Sequence, residues 1–343
     1  MMDRIVDRTD RSIWDSTVVW GACSLALLVL VLGLQPALSP FGMIVAVAAV
    51  VLAIDGLHVA QSFVRSFFDP TSPARRNGPL FRTAWLVFLI PATWIFVALA
   101  VHAPHLVDAL ALLMGVLSAH HVVSQHYGLM RLFGAGPTGR HVRRRFWLVG
   151  MALPILLSLG LREVPLIAGG SPNDPLFFRL LPWTFAVSAA ISCFALGSAA
   201  RAREGRYTFW FLSLYSALYF LLPSAGTILA IPENRRRVIT ASLLISLFHN
   251  VPFLGFFRAF AGKARRVEET AGAYRARWCF LGGFAAVYAS AFSVSVLADY
   301  DFPGTSFWIG LSIYYGLLLQ HYLLENRVWR FHGDPTLKRI WSS

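Results

Sequence analysis

The sequence predicts an all-α protein, a polytopic bundle of about 8–10 membrane-spanning helices, each built from roughly 20 mainly apolar residues. Three observations predict it. Of 343 residues 57% are apolar and only 14% are Asp, Glu, Lys or Arg, where a soluble domain carries about 25% charged residues. The mean hydropathy is +0.60. The apolar residues are also gathered into long runs rather than dispersed, as helices solvated by lipid require. Together these exclude a water-soluble enzyme, a disordered chain and a nucleic-acid-binding module, in spite of a net charge of +13. Cys23, Cys193 and Cys279 all lie inside apolar runs, which leaves no disulfide framework and no CxxC metal site.

The runs long enough to span are 17–36, 41–64, 83–101, 106–130, 146–165, 180–200, 207–231, 238–257, 278–298 and 304–326. Helices in one bundle share one interior, so a single integral-membrane domain over residues 1–343 is expected. Residues 1–16 mix Asp3, Asp7, Asp10 and Asp15 with Arg4, Arg8 and Arg11, and no small-residue cleavage pattern follows, so no cleaved signal is expected. Pro223 and Pro232 interrupt the chain where the seventh run ends, and mark a broken helix or a re-entrant turn.

Basic residues collect in cytoplasmic loops. With the N-terminus inside, the N-terminal tail, 65–82, 131–145, 201–206, 258–277 and the C-terminal tail hold 25 of the 30 Lys and Arg. Both termini are therefore expected in the cytoplasm. Arg162, Arg179 and Arg235–Arg237 fall on the other side, and the last cluster conflicts with this scheme near Pro232. The basic surplus is read as topology signal and contact with anionic membrane lipids.

Histidine placement carries the chemistry. Six of ten histidines fall inside predicted spans: His58, His120, His121, His126, His249 and His321. Ionisable groups at membrane depth are costly and face the bundle interior. All six lie on the second, fourth, eighth and tenth spans, which run in the same direction, and all lie in the cytoplasmic half. His58, His121, His249 and His321 precede Arg65, Arg131, Arg258 and Arg327 by 7, 10, 9 and 6 residues. At 1.5 Å per residue that places the rings roughly 9–15 Å below the inner boundary.

Helical spacing adds carboxylates. Asp55 precedes His58 by three residues and Glu325 follows His321 by four, so each pair shares a helix face. Gln61 and Ser62 continue the first face; Ser118 and Gln125 line up with His121, and Ser242 and Ser246 with His249. Such stripes also arise from ordinary interhelical hydrogen bonding.

Imidazole with carboxylate and no sulfur suits iron, manganese or zinc. Two histidines and one carboxylate suffice for one non-haem iron, and the full set is large enough for two ions. The candidate catalytic ligands are His58, His121, His249 and His321, followed by His120 and His126. Asp55 and Glu325 are either ligands or partners of the ring N–H groups. His120 points about 100° from His121 around the helix, and His126 some 140° from it. His102, His105, His141 and His332 lie outside the spans and read as interface or loop residues.

The segments Asp55-Gly56-Leu57-His58, Gln125-His126-Tyr127-Gly128, Leu247-Phe248-His249-Asn250 and Gln320-His321-Tyr322 resemble in order the Brp/Blh family of bacterial membrane β-carotene oxygenases. The resemblance covers four short patches. It implies an iron site in a helical bundle of the bacterial inner membrane. More loosely, the chain resembles the histidine-rich integral-membrane desaturases and hydroxylases, although their HxxxH and HxxHH boxes are absent.

The expected function is a membrane-embedded, metal-dependent oxidoreductase acting with O2 on a lipid-like or apolar small molecule, by oxygenation, hydroxylation or desaturation. An electron-donor protein is an expected partner and nucleic acid is not. The competing readings are a bis-histidine haem electron-transfer protein, a transporter or channel for protons or metal ions, and an assembly factor without chemistry.

Overall fold

The computed structural model describes residues 49, 51–67, 78–103, 105–132, 144, 147–150, 186–187, 189–195, 197, 249–250, 253, 280–292 and 305–328. These residues are helical apart from the turn at 101–103, with no strand among them. A π-helical turn, Val51–Gly56, leads directly into α1, Leu57–Phe67. Then come α2, Gly78–Ala100; α3, His105–Leu132; α4, Phe280–Phe292; and α5, Thr305–Val328. Of the expected spans, 17–36 and 207–231 lie outside the described residues, and 146–165, 180–200 and 238–257 are described only in part.

α2 and α3 are long and apolar enough to cross a membrane. The 23 residues of α2 and the 28 of α3 reach about 35 and 42 Å, against a hydrocarbon core of about 30 Å. α2 begins five residues before the run at 83–101. Hydropathy marks the apolar stretch, whereas the helix starts where Gly78 and Pro79 open its first turn, proline being preset for that position. Arg82 and Thr83 prolong the helix without being apolar, and Thr83 Oγ1 bonds back to Pro79 O at 2.8 Å.

The buried residues of α2 form a narrow stripe, Ala84, Pro91, Ile95 and Ala98, at the spacing of one helix face. Around it Trp85, Leu86, Leu89, Ile90, Phe96 and Val97 are exposed, Phe96 by 72% and Leu86 by 66%. Pro91 cannot donate to the carbonyl of Val87, a loss that neighbouring helices and side chains make tolerable in apolar surroundings.

α2 ends in a Schellman motif. His102 N donates to Leu99 O at 3.1 Å and Ala103 N to Ala98 O at 2.9 Å, which satisfies two terminal carbonyls. His102 takes the left-handed position with φ 54°, where glycine is usual, and its Nδ1 lies 3.0 Å from Leu99 O.

The chain divides into two compact units, residues 1–95 with 242–343, and residues 96–241. In the first unit α1 is surrounded: His58, Val59, Ala60, Ser62, Phe63, Arg65 and Ser66 are all buried. α4 turns Leu281, Ala285, Tyr288 and Phe292 inward, a single face at i, i+4, i+7 and i+11. Going from Asp55 and Gly56 in the π turn to Phe63 in α1, the partners on α4 fall from Tyr288 through Ala285 to Phe284. The two helices are therefore antiparallel. Gly56 makes this possible, because a Cβ there would stand 3.1 Å from the Cα, Cβ and O of Ala285. Phe63 and Phe284 close the other end with ring centres 4.4 Å apart.

α5 packs against α1 and also meets α2. A Cβ on Gly316 would lie 2.6 Å from Phe88 O, so glycine is what lets these backbones approach, as small residues do between membrane helices.

Candidate metal centre

Inside the first unit three imidazoles converge. The His58 ring centre is 5.0 Å from that of His249 and 4.9 Å from that of His321. All three are buried, His58 and His321 at 1% exposure each. Phe253, one helical turn after His249, packs on both neighbouring rings, 5.5 Å from His58 and 5.0 Å from His249. It forms an apolar wall on that side.

α5 adds a carboxylate. Glu325 is buried, and its Oε1 lies 4.0 Å from His321 Nδ1 one turn earlier. His58, His321 and Glu325 each offer one ligand atom, and these atoms lie within 4.8 Å of one another. That is a two-histidine, one-carboxylate set, the chemistry that holds non-haem iron with positions left open. The cost of keeping the Glu325 carboxylate away from water falls if a cation shares its surroundings. The donor set therefore fits a divalent metal ion.

Ser62 fixes one of the rings. Its Oγ donates to Val59 O at 2.7 Å and stands 2.7 Å from His321 Nδ1. A hydroxyl has one proton. With that proton on Val59 O, His321 Nδ1 is the donor to Ser62 and Nε2 keeps its lone pair. Ser66 Oγ in turn bonds Ser62 O at 2.6 Å, so α1 presents a short ladder of back-bonded serines toward α5.

Asp55 is placed differently. Tyr288 OH donates to its Oδ2 at 2.7 Å, and Asn250 Nδ2 donates to its Oδ1. Asp55 lies in the π turn, three residues before His58. Asp55 is thus held by Tyr288 on α4 and by Asn250, the residue after His249.

The other candidates belong to the second unit. His121 and His126 are buried there, and the half-buried His120 lies with its ring centre 4.5 Å from that of Trp147. His102 caps α2 as described, and His105 is exposed at the first residue of α3. Tyr288 and Asn250 were not among the expected site residues. The available signals were a tyrosine in the apolar run 278–298 and an amide directly after His249.

Compared with known proteins, the chain matches no family model, no curated protein and no solved structure.

Proposed function

We propose that this chain is a polytopic membrane protein with a non-haem iron centre on His58, His321, Glu325 and the adjoining His249, and that it uses O2 to oxidise an apolar, lipid-like molecule. The observation that carries this reading is the buried meeting of three imidazoles and one carboxylate. The exposed apolar flanks of α2 support the membrane setting, since a contiguous apolar face is solvated by lipid and is a liability in water.

Ring spacing favours one ion held by neighbouring ligands over haem. With a metal–nitrogen distance of about 2.0–2.1 Å, each ring centre sits about 3.2 Å from the ion. Rings at 90–109° to each other are then about 4.5–5.2 Å apart, and rings on opposite sides about 6.4 Å apart. The 4.9 Å spacing of His58 and His321 belongs to the first case.

When bound, iron supplies activation of O2. The protein's own residues do the rest. Ser62 holds His321 in the tautomer that leaves Nε2 available. Glu325 supplies negative charge against the cation, and Phe253 keeps water from the His58 and His249 side. Hydroxylation or desaturation also needs two electrons and two protons from a donor protein, whereas dioxygenation of the substrate needs none.

The test is O2 uptake by detergent-purified protein loaded anaerobically with Fe2+, given extracted membrane lipids and a chemical reductant. Uptake that requires the lipid fraction and disappears in His58→Ala supports the proposal. Iron-loaded protein that consumes no O2 above the His58→Ala rate under any of these conditions contradicts it.

A further inference from the structure

We infer that Asp55 is a positioning residue: with Tyr288 and Asn250 it ties together the segments that carry His58 and His249, and does not itself hold the ion. The inference rests on the metal reading above and assigns Asp55 a role within it.

Both oxygens of the Asp55 carboxyl are engaged, Oδ2 by Tyr288 OH at 2.7 Å and Oδ1 by Asn250 Nδ2. Asp55, like His249, is outside the set of ligand atoms that lie within 4.8 Å of one another, and unlike His249 it has both of its donor atoms already engaged. The bonds reach both ring-bearing segments at short range. Asp55 stands three residues before His58, and Asn250 immediately follows His249. Tyr288 is fully buried, so its hydroxyl acts as a fixed post on α4.

Two local features bring the carboxyl to that post. Asp55 sits in the π turn that precedes α1, and Gly56 lets α4 approach at Ala285, one turn before Tyr288. Here the support acts on the segments that carry the rings, and supports behind a ligand set its orientation and affinity.

The test is Co2+ binding to the full-length, detergent-purified chain, followed by visible ligand-field absorption. Wild type is compared with Asp55→Asn, Tyr288→Phe, the double variant and His58→Ala. The expected result is a 10–100-fold loss of Co2+ affinity in Asp55→Asn and a smaller loss in Tyr288→Phe, with shifted bands and one bound equivalent at saturation. The double variant should be no weaker than Asp55→Asn alone, because both changes act through one carboxyl. Tyr288→Phe keeps the ring and removes one hydroxyl, so it carries the test if Asp55→Asn does not fold.

Complete loss of binding in Asp55→Asn with wild-type affinity in Tyr288→Phe would make Asp55 a ligand and overturn the inference. Unchanged affinity and bands in both variants, with only the melting temperature lowered, would reduce the contacts to packing and also overturn it. Wild-type protein that binds no Co2+, or His58→Ala that binds it as wild type does, would overturn the metal reading itself.

Discussion

Ser62 Oγ and His321 Nδ1, from helices 259 residues apart in sequence, lie 2.7 Å from each other. Because Ser62 gives its single proton to Val59 O, the imidazole Nδ1 is the donor in this pair, and Nε2 is the nitrogen that carries the lone pair. One hydroxyl thereby couples the packing of α1 on α5 to the chemical state of a candidate ligand.

Ser62→Ala removes the acceptor and leaves His321 Nδ1 without it. The expected effect is about 1–3 kcal/mol of lost stability from an unsatisfied buried donor, together with about 10-fold weaker metal binding. Thermal unfolding in detergent and Co2+ titration measure the two separately. Ser66→Ala, whose bond to Ser62 O is local to α1, should cost less than about 1 kcal/mol and leave affinity unchanged.

Helix contacts make a graded prediction for glycines. Gly316→Ala would bring a Cβ to 2.6 Å from Phe88 O, and Gly56→Ala to 3.1 Å from the Ala285 backbone, while Gly115, Gly282 and Gly283 have nothing within 4 Å. Gly316→Ala should therefore destabilise most, by about 2–3 kcal/mol, and Gly56→Ala by about 1–2 kcal/mol. Gly115→Ala should stabilise by up to about 1 kcal/mol through helix propensity. Melting temperatures in one detergent give the order, and a Gly115→Ala loss as large as that of Gly316→Ala would contradict it.

His102 occupies a left-handed position that costs a non-glycine residue about 1 kcal/mol. His102→Gly should stabilise the end of α2 by about 0.5–1 kcal/mol, less what is lost with the Nδ1 contact to Leu99 O, and His102→Val should destabilise it by about 1–2 kcal/mol. Hydrogen exchange at the amides of residues 102 and 103 reads this directly.

Much of the arrangement is legible in the sequence. The long apolar runs mark α2, α3 and α5 to within a few residues, because one period and one solvent govern their whole length. His58, His249 and His321 stand out because an imidazole is costly to bury inside a long apolar run, and Glu325 follows from α-helical spacing. Asp55 shows the limit of such reading. Its partners Tyr288 and Asn250 are ordinary residues until three segments meet. The start of α2 at Gly78 was hidden for a different reason, since helix ends are set by caps and prolines rather than by hydropathy.

The membrane setting predicts a labelling pattern. Cysteines placed at Leu86, Ile90 and Phe96 on the exposed flank of α2 should resist a charged, membrane-impermeant maleimide in intact vesicles and react after denaturation in detergent. Rapid labelling of all three in intact vesicles would place that flank in water.

The most direct measurement is the metal content of wild-type protein purified in detergent without chelator, beside His58→Ala, His321→Ala and Glu325→Gln. The account predicts about one equivalent of iron in wild type and less than about a tenth in each histidine variant, with Glu325→Gln weakened at least about 10-fold in affinity. Wild-type protein with less than about a tenth of an equivalent of iron, manganese or zinc, or variants that retain as much metal as wild type, would contradict it.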